Sequence, residues 1–395
     1  ALLLSEQQNK RLEQYAHYDF LTGLPNKPFF EQVGRRMIRR STRTTDQLAL
    51  LQVDINQFKH VNETYGREVG DFVLKEVATR LQSQIRNSDL ITRLDSDDFI
   101  VLAELKQDKR EIYRLIERVR KAVEEPYTLQ DSNVISCTCS IGVAYYPDAY
   151  DLDTLLKQAE HALFEAKNTP SNPICFYTEQ LGNSFNRRNI ISSQIENAIN
   201  NDEFKVFFQP VFNISNNAFL SAEALLRWRS KKLNEILPGE FIPMAEQNAC
   251  IDQLTKIVLK QVKQFINLLD QNGVALQSVK VNTTFGQLNS EGFSDLFLSW
   301  LNEYEIQPSS ICIELAEPHF ASLTAICKRN ITCLRKAGIK VALDNFGTGT
   351  ASLKQLLDFP VDIVNIDKSI IKKISDNHEH YSMTHSIVDM AHNLG

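Results

Sequence analysis

The sequence predicts two domains of different fold class: an α+β domain, in which helices pack on an antiparallel-containing sheet, and then a β/α barrel. The chain has 395 residues, more than one ordinary domain. Its first half mixes helical patterns with strands that can pair as a hairpin. In its second half, strands alternate with helices and several end in a polar residue, as in barrels whose sites lie at the carboxyl ends of the strands: Asn282, Glu314 and Asp344.

Periodicity justifies the elements of the first domain. Apolar residues at helical spacing predict helices over 29–40, 71–85, 110–124 and 152–168. In the second of these helices we expect Phe72 to face the core. Short apolar runs predict strands over 48–55, 90–94, 99–105 and 134–146. The turn residues at 95–98 (DSDD) indicate a hairpin between two of these strands.

The second domain shows six strand patterns, over 204–209, 218–227, 279–282, 311–315, 341–344 and 363–366. A closed barrel has eight parallel strands, so we expect this barrel to be truncated at its carboxyl-terminal end. Residues 178–188 (TEQLGNSFNRR) are polar and weakly patterned. We therefore predict a linker over 178–190, between a first domain at 17–177 and a barrel at 191–395.

Residues 1–16 carry a polar helical pattern with a narrow stripe of Leu4, Leu12 and Tyr15, which predicts a connector helix. Two interpretations stay open: a helix that packs on its own domain, or the end of a coiled coil from an upstream sensor or membrane segment. No apolar run reaches the ~18 residues of a membrane span, and no signal peptide is visible. We expect cytoplasmic domains, which the second interpretation would place in an inner-membrane protein.

Composition excludes several classes of protein. Contents of 43% hydrophobic and 23% charged residues are typical of a folded chain and exclude a disordered one. The net charge of −6 argues against a nucleic-acid polymer as partner. The seven cysteines include no CxxC pair, which indicates a reducing compartment. We interpret Cys137 and Cys139 as buried apolar residues rather than metal ligands.

Two segments of the first domain resemble motifs of the GGDEF (diguanylate cyclase) family. Residues 19–26 (DFLTGLPN) are similar to its DxLTGLPN turn, and residues 53–65 (VDINQFKHVNETY) to VDIDxFKxINDxY. The resemblance implies that Asp54 binds a metal ion and that Asn62 and Asp71 contact guanine. These residue types suit the chemistry, because carboxylates hold the Mg²⁺ of a triphosphate and an amide with a carboxylate reads a guanine edge.

The signature loop departs from this family's pattern. Residues 93–99 read RLDSDDF where the family has RxGGDEF, so Asp95 and Ser96 replace both glycines and Asp98 replaces the metal-binding glutamate. The glycines allow a nucleotide to lie against the hairpin backbone, and Asp95 adds negative charge where a triphosphate would sit. Lys167 matches the phosphate-binding lysine, but the Gly-Arg expected soon after it is missing. We expect a degenerate domain without cyclase activity.

Arg86 and Asp89 match the RxxD inhibitory motif of the same family, at the family distance before the signature loop. An arginine can hold a guanine edge and a phosphate together, so the resemblance implies a secondary site for cyclic-di-GMP. The alternative is a surface Arg–Asp pair that binds no ligand, and the sequence leaves both open.

The second domain resembles the EAL (cyclic-di-GMP phosphodiesterase) family. Its motifs follow in family order: QPV at 209–211, EALLRW at 223–228, FIPMAE at 241–246, VN at 281–282, ELAE at 314–317 and DNFGTG at 344–349. The resemblance implies a set of ligands for Mg²⁺ or Mn²⁺, namely Glu223, Asn282, Glu314 and Asp344. It implies an overlapping set around the dinucleotide, namely Gln209, Glu223, Leu225, Arg227, Asn282, Asp344 and Asp367. Glu317 would support the DNFGTG loop.

Two departures affect the catalytic site that this resemblance implies. Asn345 replaces the second aspartate of DDFGTG, which helps to hold a second metal ion, and Asn365 stands where the family has the lysine of LKID. Two-metal hydrolysis needs enough negative charge for both cations and a polarised water between them. The family's AEGVE segment would lie beyond Gly395. We therefore expect no working set of catalytic residues.

Three functions remain open. The kept binding residues favour a cyclic-di-GMP receptor, similar to the transmembrane receptors of this superfamily, with an upstream membrane or sensor domain and a homodimeric state expected; this interpretation does not require Mg²⁺ or Mn²⁺. The second function is a slow phosphodiesterase that is regulated by GTP bound to the first domain. The third is a scaffold that acts without nucleotides.

Overall fold

The computed structural model describes residues 16–44, 47–105, 110–129, 133–169, 171–215, 218–321, 323–347, 353–359, 361–375 and 378–394. The connector helix predicted for 1–16 therefore lies, except for its last residue, outside the described residues. The chain divides into two compact units between Arg187 and Arg188. Every helix in the described ranges is either too short or too polar to span a lipid bilayer.

The first unit contains helices on both faces of one sheet. Its helices are α1 (Lys27–Thr44), α2 (Phe58–Tyr65), α3 (Arg67–Gln84), α4 (Arg110–Glu124) and α5 (Leu152–Asn168). Its strands are β1 (Gln47–Ile55), β2 (Leu90–Asp95), β3 (Asp98–Leu105), β4 (Tyr127–Thr128), β5 (Val134–Ile135), β6 (Cys139–Tyr146) and β7 (Ile174–Phe176).

Five of these strands form the sheet, in the order β2-β3-β1-β6-β7. β1 pairs antiparallel with β3 and β6, whereas β7 pairs parallel with β6. Alternate residues of β1 face opposite sides. Leu50 packs in a cluster with Phe30 of α1, and Leu51 packs in another with Val77 of α3. The predicted α+β class with an antiparallel-containing sheet is confirmed.

Three details of the first unit correct the sequence predictions. The helix expected from residue 71 begins at Arg67, and α2 precedes it. Phe72 is exposed because it lies opposite the stripe of α3 that contains Val73 and Val77. The strand expected over 134–146 is divided, because β5 pairs with β4 in a two-stranded sheet whereas β6 pairs with β1 in the five-stranded sheet.

The stretch predicted as a linker, 178–190, is helical rather than irregular: helix α6 (Glu179–Asn200) begins in it, and the division between the two units falls within it. Thr178 stabilises the start of the helix: its hydroxyl accepts a hydrogen bond from Leu181 N (3.2 Å). Phe185 anchors the polar part by stacking on His161 of α5, with ring centroids 4.0 Å apart. Phe185 also meets Phe164 of α5 edge-on, with ring centroids 5.2 Å apart, so two ring contacts and a cap compensate for the weak pattern.

The second unit follows α6 with alternating strands and helices. Its strands are β8 (Phe204–Asn213), β9 (Ala218–Ser230), β10 (Asn234–Ile236), β11 (Ser278–Asn282), β12 (Ile311–Ala316), β13 (Lys340–Phe346) and β14 (Ile363–Ile366). Its further helices are α7 (Pro238–Gln247), α8 (Ile251–Gln271), α9 (Phe285–Leu288), α10 (Phe293–Glu303), α11 (Glu317–Ala321), α12 (Ala325–Lys336), α13 (Leu353–Asp358), α14 (Lys368–Ile371) and α15 (His378–Leu394).

The parallel part of this sheet runs β9-β11-β12-β13-β14. Val279 and Val281 of β11 pack in the apolar core with residues of the surrounding helices, so the other face of the strand is turned to the barrel interior. The predicted β/α class is confirmed. The predicted first strand is not part of the parallel set: β8 pairs antiparallel with β9, because their short connection permits a hairpin and not a crossover.

Candidate functional site

A cavity of about 870 Å³ lies at the carboxyl ends of the parallel strands of the second unit. Its lining includes the four residues predicted as metal ligands, together with Leu225 and Arg227. The four predicted ligands come from four successive strands, β9, β11, β12 and β13: Glu223, Asn282, Glu314 and Asp344. The parallel register therefore collects them at one place, as the sequence predicts for a barrel.

Amide groups connect the side chains of this site. Asn282 Nδ2 lies 3.3 Å from Glu223 Oε1. Asn365 Nδ2 donates to two carboxylates, Glu314 Oε1 at 2.7 Å and Asp344 Oδ1 at 3.2 Å. Asn365 thus stands between the two carboxylates, where the family has a lysine.

The charge of Glu314 is strongly influenced by its surroundings. Burial, followed by the negative charges of Glu223 and Asp344, raises the pKa of Glu314 to about 7. Lys280 and the hydrogen bond from Asn365 oppose this rise. The three carboxylates are therefore close enough to repel one another, and the site favours a positive group.

Asn345 makes a local contact that an aspartate could not make. Its backbone has a φ of 56°, in the left-handed region that asparagine tolerates. Its Nδ2 donates to Asp344 Oδ2 at 2.7 Å. Both carboxylate oxygens of Asp344 therefore accept hydrogen bonds from amides, because Asn365 occupies the other.

The donor types suit a divalent cation, since hard oxygen ligands from four strands meet at one cavity. Glu314 Oε2 is buried and has no hydrogen-bond partner among the described residues. The remaining carboxylate oxygens of Glu314 and Asp344 are occupied by amides. The ranges that the structure describes contain no group of three or more His, Cys, Asp or Glu side chains placed to hold a metal. As arranged, amide groups satisfy three of the four carboxylate oxygens of Glu314 and Asp344.

The predicted dinucleotide contacts divide into two groups. Leu225 and Arg227 line the cavity, and the guanidinium of Arg227 donates to the Leu226 carbonyl at 2.9 Å. Gln209 pairs with Glu223 across the β8–β9 hairpin and is exposed beside the cavity. Asp367 is the N-cap of α14; the hydrogen bonds that it accepts from Ser369 lower its pKa.

Glu317 lies at the start of α11 and is almost completely buried. Its Oε2 accepts a hydrogen bond from Gly347 N at 3.1 Å. This contact holds Gly347, which lies within the DNFGTG segment directly after the end of β13, in line with the supporting role that the sequence predicts for Glu317.

Lys280 is the site residue that sequence reasoning missed. Its side chain is 8% exposed; its Nζ lies 3.3 Å from Glu314 Oε1 and donates to Asn365 Oδ1 at 2.7 Å. A signal was present in the sequence, because residues two apart in a strand share a face and Lys280 precedes Asn282 by two positions. Alternation along SVKVN thus places Lys280 on the same face of the strand as Asn282.

The first unit has a cavity of about 950 Å³, whose lining includes Asp54, Asp97 and Lys167. Lys167 Nζ lies 2.5 Å from Asp54 Oδ2. Asp98 pairs with Asp54 across β1 and β3. Burial, followed by the Asp54 charge, raises the pKa of Asp98 to about 7, and burial also raises the pKa of Asp54. Lys167 thus contacts Asp54 directly, and Asp98 lies opposite Asp54 on the neighbouring strand.

The other residues predicted around this nucleotide site are more scattered. Asn62 of α2 and the exposed Asp71 of α3 are not among the lining residues of the cavity. The hairpin closes on Ser96 and Asp97, and Asp95 caps it by accepting a hydrogen bond from Ser96 N (2.9 Å). Arg93 fixes the turn further, because its guanidinium donates to the Ser96 carbonyl.

Arg86 and Asp89 do not form the side-chain pair that one interpretation predicted. The guanidinium of Arg86 pairs with Glu111 of α4. Asp89 instead accepts hydrogen bonds from backbone N–H groups, from Arg86 at 2.9 Å and from Glu104 at 3.3 Å. Asp89 therefore caps the turn, while Arg86 stays about half exposed.

Comparisons with known proteins agree with this division of the chain. The EAL domain family matches residues 192–395, and the family described as diguanylate cyclase, GGDEF domain, matches residues 16–173. The signaling protein YkoW of Bacillus subtilis is 30% identical over 387 residues, which are 98% of this chain and 48% of YkoW. The cyclic di-GMP phosphodiesterase NbdA of Pseudomonas aeruginosa is 30% identical over 384 residues, 97% of this chain and 49% of NbdA.

The chain thus spans about half the length of these two relatives. Among solved structures, the S helix-GGDEF-EAL part of LapD from Vibrio cholerae, bound to c-di-GMP, aligns with a TM-score of 0.56 at 20% identity. The alignment covers 100% of this chain and 92% of the LapD chain. At this identity the likeness concerns the fold.

Proposed function

Because this chain belongs to the EAL domain family and carries a GGDEF domain before its EAL domain, we propose that it is a cyclic-di-GMP receptor. In this proposal the mouth of the barrel binds cyclic-di-GMP and hydrolyses it little or not at all. The GGDEF half has lost cyclase activity. An upstream membrane or sensor domain and a homodimeric state belong to the same proposal.

The observation that carries the proposal is the set of amide hydrogen bonds in the barrel mouth. Asn365 donates to Glu314 and Asp344, and Asn345 donates to the second oxygen of Asp344. Two-metal hydrolysis needs these oxygens for its cations. The amides satisfy them without a metal, whereas Arg227, which would contact phosphate, still lines an open cavity. Binding groups are therefore kept where the catalytic ones are occupied.

A slow phosphodiesterase is the second candidate function. It is supported by one observation: all four predicted metal ligands line the same cavity, and Glu314 Oε2 is buried without a partner among the described residues. In this alternative, GTP bound beside Asp54 and Lys167 regulates the reaction.

Calorimetric titration with cyclic-di-GMP in Mg²⁺ buffer, followed by chromatography of the same sample, separates the two candidates. The receptor proposal predicts saturable binding and recovery of intact cyclic-di-GMP. Linearised product that accumulates in proportion to time and protein concentration would decide for the slow phosphodiesterase. A protein that is folded by circular dichroism but does not bind cyclic-di-GMP at tens of micromolar would contradict both candidate functions. The nucleotide-independent scaffold would then remain.

A further inference from the structure

Lys280 is an unusual residue for the middle of a barrel strand. Its neighbours along β11, Val279 and Val281, pack in the apolar core, so the lysine side chain is directed to the other face. The residue is 6% exposed. A lysine is rarely buried to this extent unless its charge is paired. Its partners are therefore part of the reason for its position.

Those partners lie across the interior of the sheet. Asn365 is on β14, three strands from β11 in the order of the sheet. A flat sheet would separate the two strands by about 14 Å, at ~4.8 Å per strand. The observed distance from Lys280 Nζ to Asn365 Oδ1 is 2.7 Å. The contact thus depends on the curvature of the barrel and on the full length of the lysine side chain.

The ammonium group lies where the barrel mouth concentrates negative charge. Lys280 Nζ is 3.3 Å from Glu314 Oε1, and Glu314 also experiences the negative charges of Glu223 and Asp344. Lys280 is not among the residues that line the cavity, whereas its partner Glu314 is. Lys280 therefore acts on a ligand through the side chains that it contacts, as a positioning residue.

The positive charge of Lys280 has opposite effects on anions and on cations that approach the barrel mouth. It attracts the carboxylates and partly neutralises the site, which lets a phosphodiester anion approach. It repels a second cation that would bind the same Glu314 oxygen. Asn365 takes part in both, because its Oδ1 accepts a hydrogen bond from Lys280 while its Nδ2 donates to Glu314 and Asp344.

We infer that Lys280 is an internal counter-cation of the barrel mouth, which makes the binding of a cyclic dinucleotide independent of divalent metal ions. The inference rests on the proposed receptor function for its ligand. The exclusion of a metal ion by Lys280 is a separate property, which can be measured without nucleotide.

The first experiment titrates the unaltered protein with cyclic-di-GMP, once with EDTA and once with Mg²⁺. We expect dissociation constants within about twofold of each other. Binding that is tenfold tighter or more with Mg²⁺ would overturn the inference. Absence of binding in both buffers would contradict the proposed receptor function, and the metal titration below then decides about Lys280.

The second experiment measures Mn²⁺ binding by electron paramagnetic resonance, without nucleotide, in Lys280→Met and Lys280→Gln. Both variants remove the charge, and the glutamine variant keeps a polar group if methionine prevents folding. We expect Mn²⁺ affinity to rise tenfold or more and nucleotide binding to become dependent on metal. The control Lys256→Met breaks an exposed Lys–Glu pair of the same unit, with Glu303, and should change nothing. Unchanged Mn²⁺ affinity in a folded Lys280 variant would overturn the inference.

Discussion

The replacement of Asp98 by asparagine should make the stability of the GGDEF half less sensitive to alkaline pH. Asp98 has a pKa of about 7, raised by burial and by the Asp54 charge, and its Oδ1 is buried without a hydrogen-bond partner among the described residues. In the unfolded chain an aspartate titrates near 3.9. Asp98 therefore contributes stability that is fully present below about pH 4 and is lost as the pH rises through 7.

The size of the effect follows from the shift of pKa. A rise from 3.8 to about 7 corresponds to roughly 4 kcal/mol between low and high pH, at about 1.36 kcal/mol per pKa unit. Solvent around the partly exposed Asp98 side chain screens this free-energy difference, and the positive charge of the nearby Lys167 opposes it. The expected pH-dependent contribution to stability is therefore about 1–2 kcal/mol. For a domain of this size, the change in melting temperature caused by Asp98→Asn should therefore be more favourable at pH 8 than at pH 4.5, by about 2–8 °C.

Both tryptophans, Trp228 and Trp300, belong to the barrel unit, so their fluorescence does not report on the GGDEF half. Differential scanning calorimetry with hydrogen exchange of the β1 amides is the suitable assay. Asp95→Asn is the matched control, because Asp95 lies on the same hairpin but is exposed. An equal change in stability at pH 4.5 and pH 8, or the same pH dependence in the control, would refute the reasoning.

Three further predictions concern nucleotides. Incubation with GTP and Mg²⁺ or Mn²⁺ should yield no cyclic-di-GMP, because Asp95 and Ser96 replace the glycines of the signature loop; product formed at ~1 s⁻¹ would contradict this. If Arg86 is part of a secondary site, Arg86→Ala should lower the calorimetric stoichiometry of cyclic-di-GMP; an unchanged value would leave only its ion pair with an α4 glutamate. Arg227→Ala should weaken the binding of cyclic-di-GMP by about 1.5–3 kcal/mol, hence tenfold or more. The control Arg229→Ala removes an exposed arginine that lies over a phenylalanine ring of the same hairpin, and it should leave binding unchanged. Equal losses in the two variants would exclude a specific phosphate contact of Arg227.

The sequence was sufficient for elements whose apolar pattern is long and regular. It was insufficient where few residues determine the structure. Helix α2 buries only Phe58 and Val61, so its eight residues show no stripe that periodicity can detect. The polar start of α6 depends on a cap at Thr178 and on the ring contacts of Phe185 with α5. The ring contacts join residues that are distant in sequence, which a local pattern does not contain.

The same division holds for the candidate site. Parallel register places Glu223, Asn282, Glu314 and Asp344 together, and this follows from strand-end positions that can be read in the sequence. The pairing of Lys280 with Asn365 does not follow, because it joins strands that are not neighbours. The direction of the lysine was predictable from alternation, but its partner depends on the curvature of the sheet.

The left-handed backbone of Asn345 has a consequence for how such barrels diverge. Few residue types adopt a φ of 56° at low cost, and asparagine and aspartate are both among them. An exchange between the amide and the acid at this position therefore leaves the chain path of β13 unchanged. A receptor and a hydrolase can then be separated by single nucleotide substitutions in the gene while they share one backbone. The backbone of β13 therefore does not oppose this exchange in either direction.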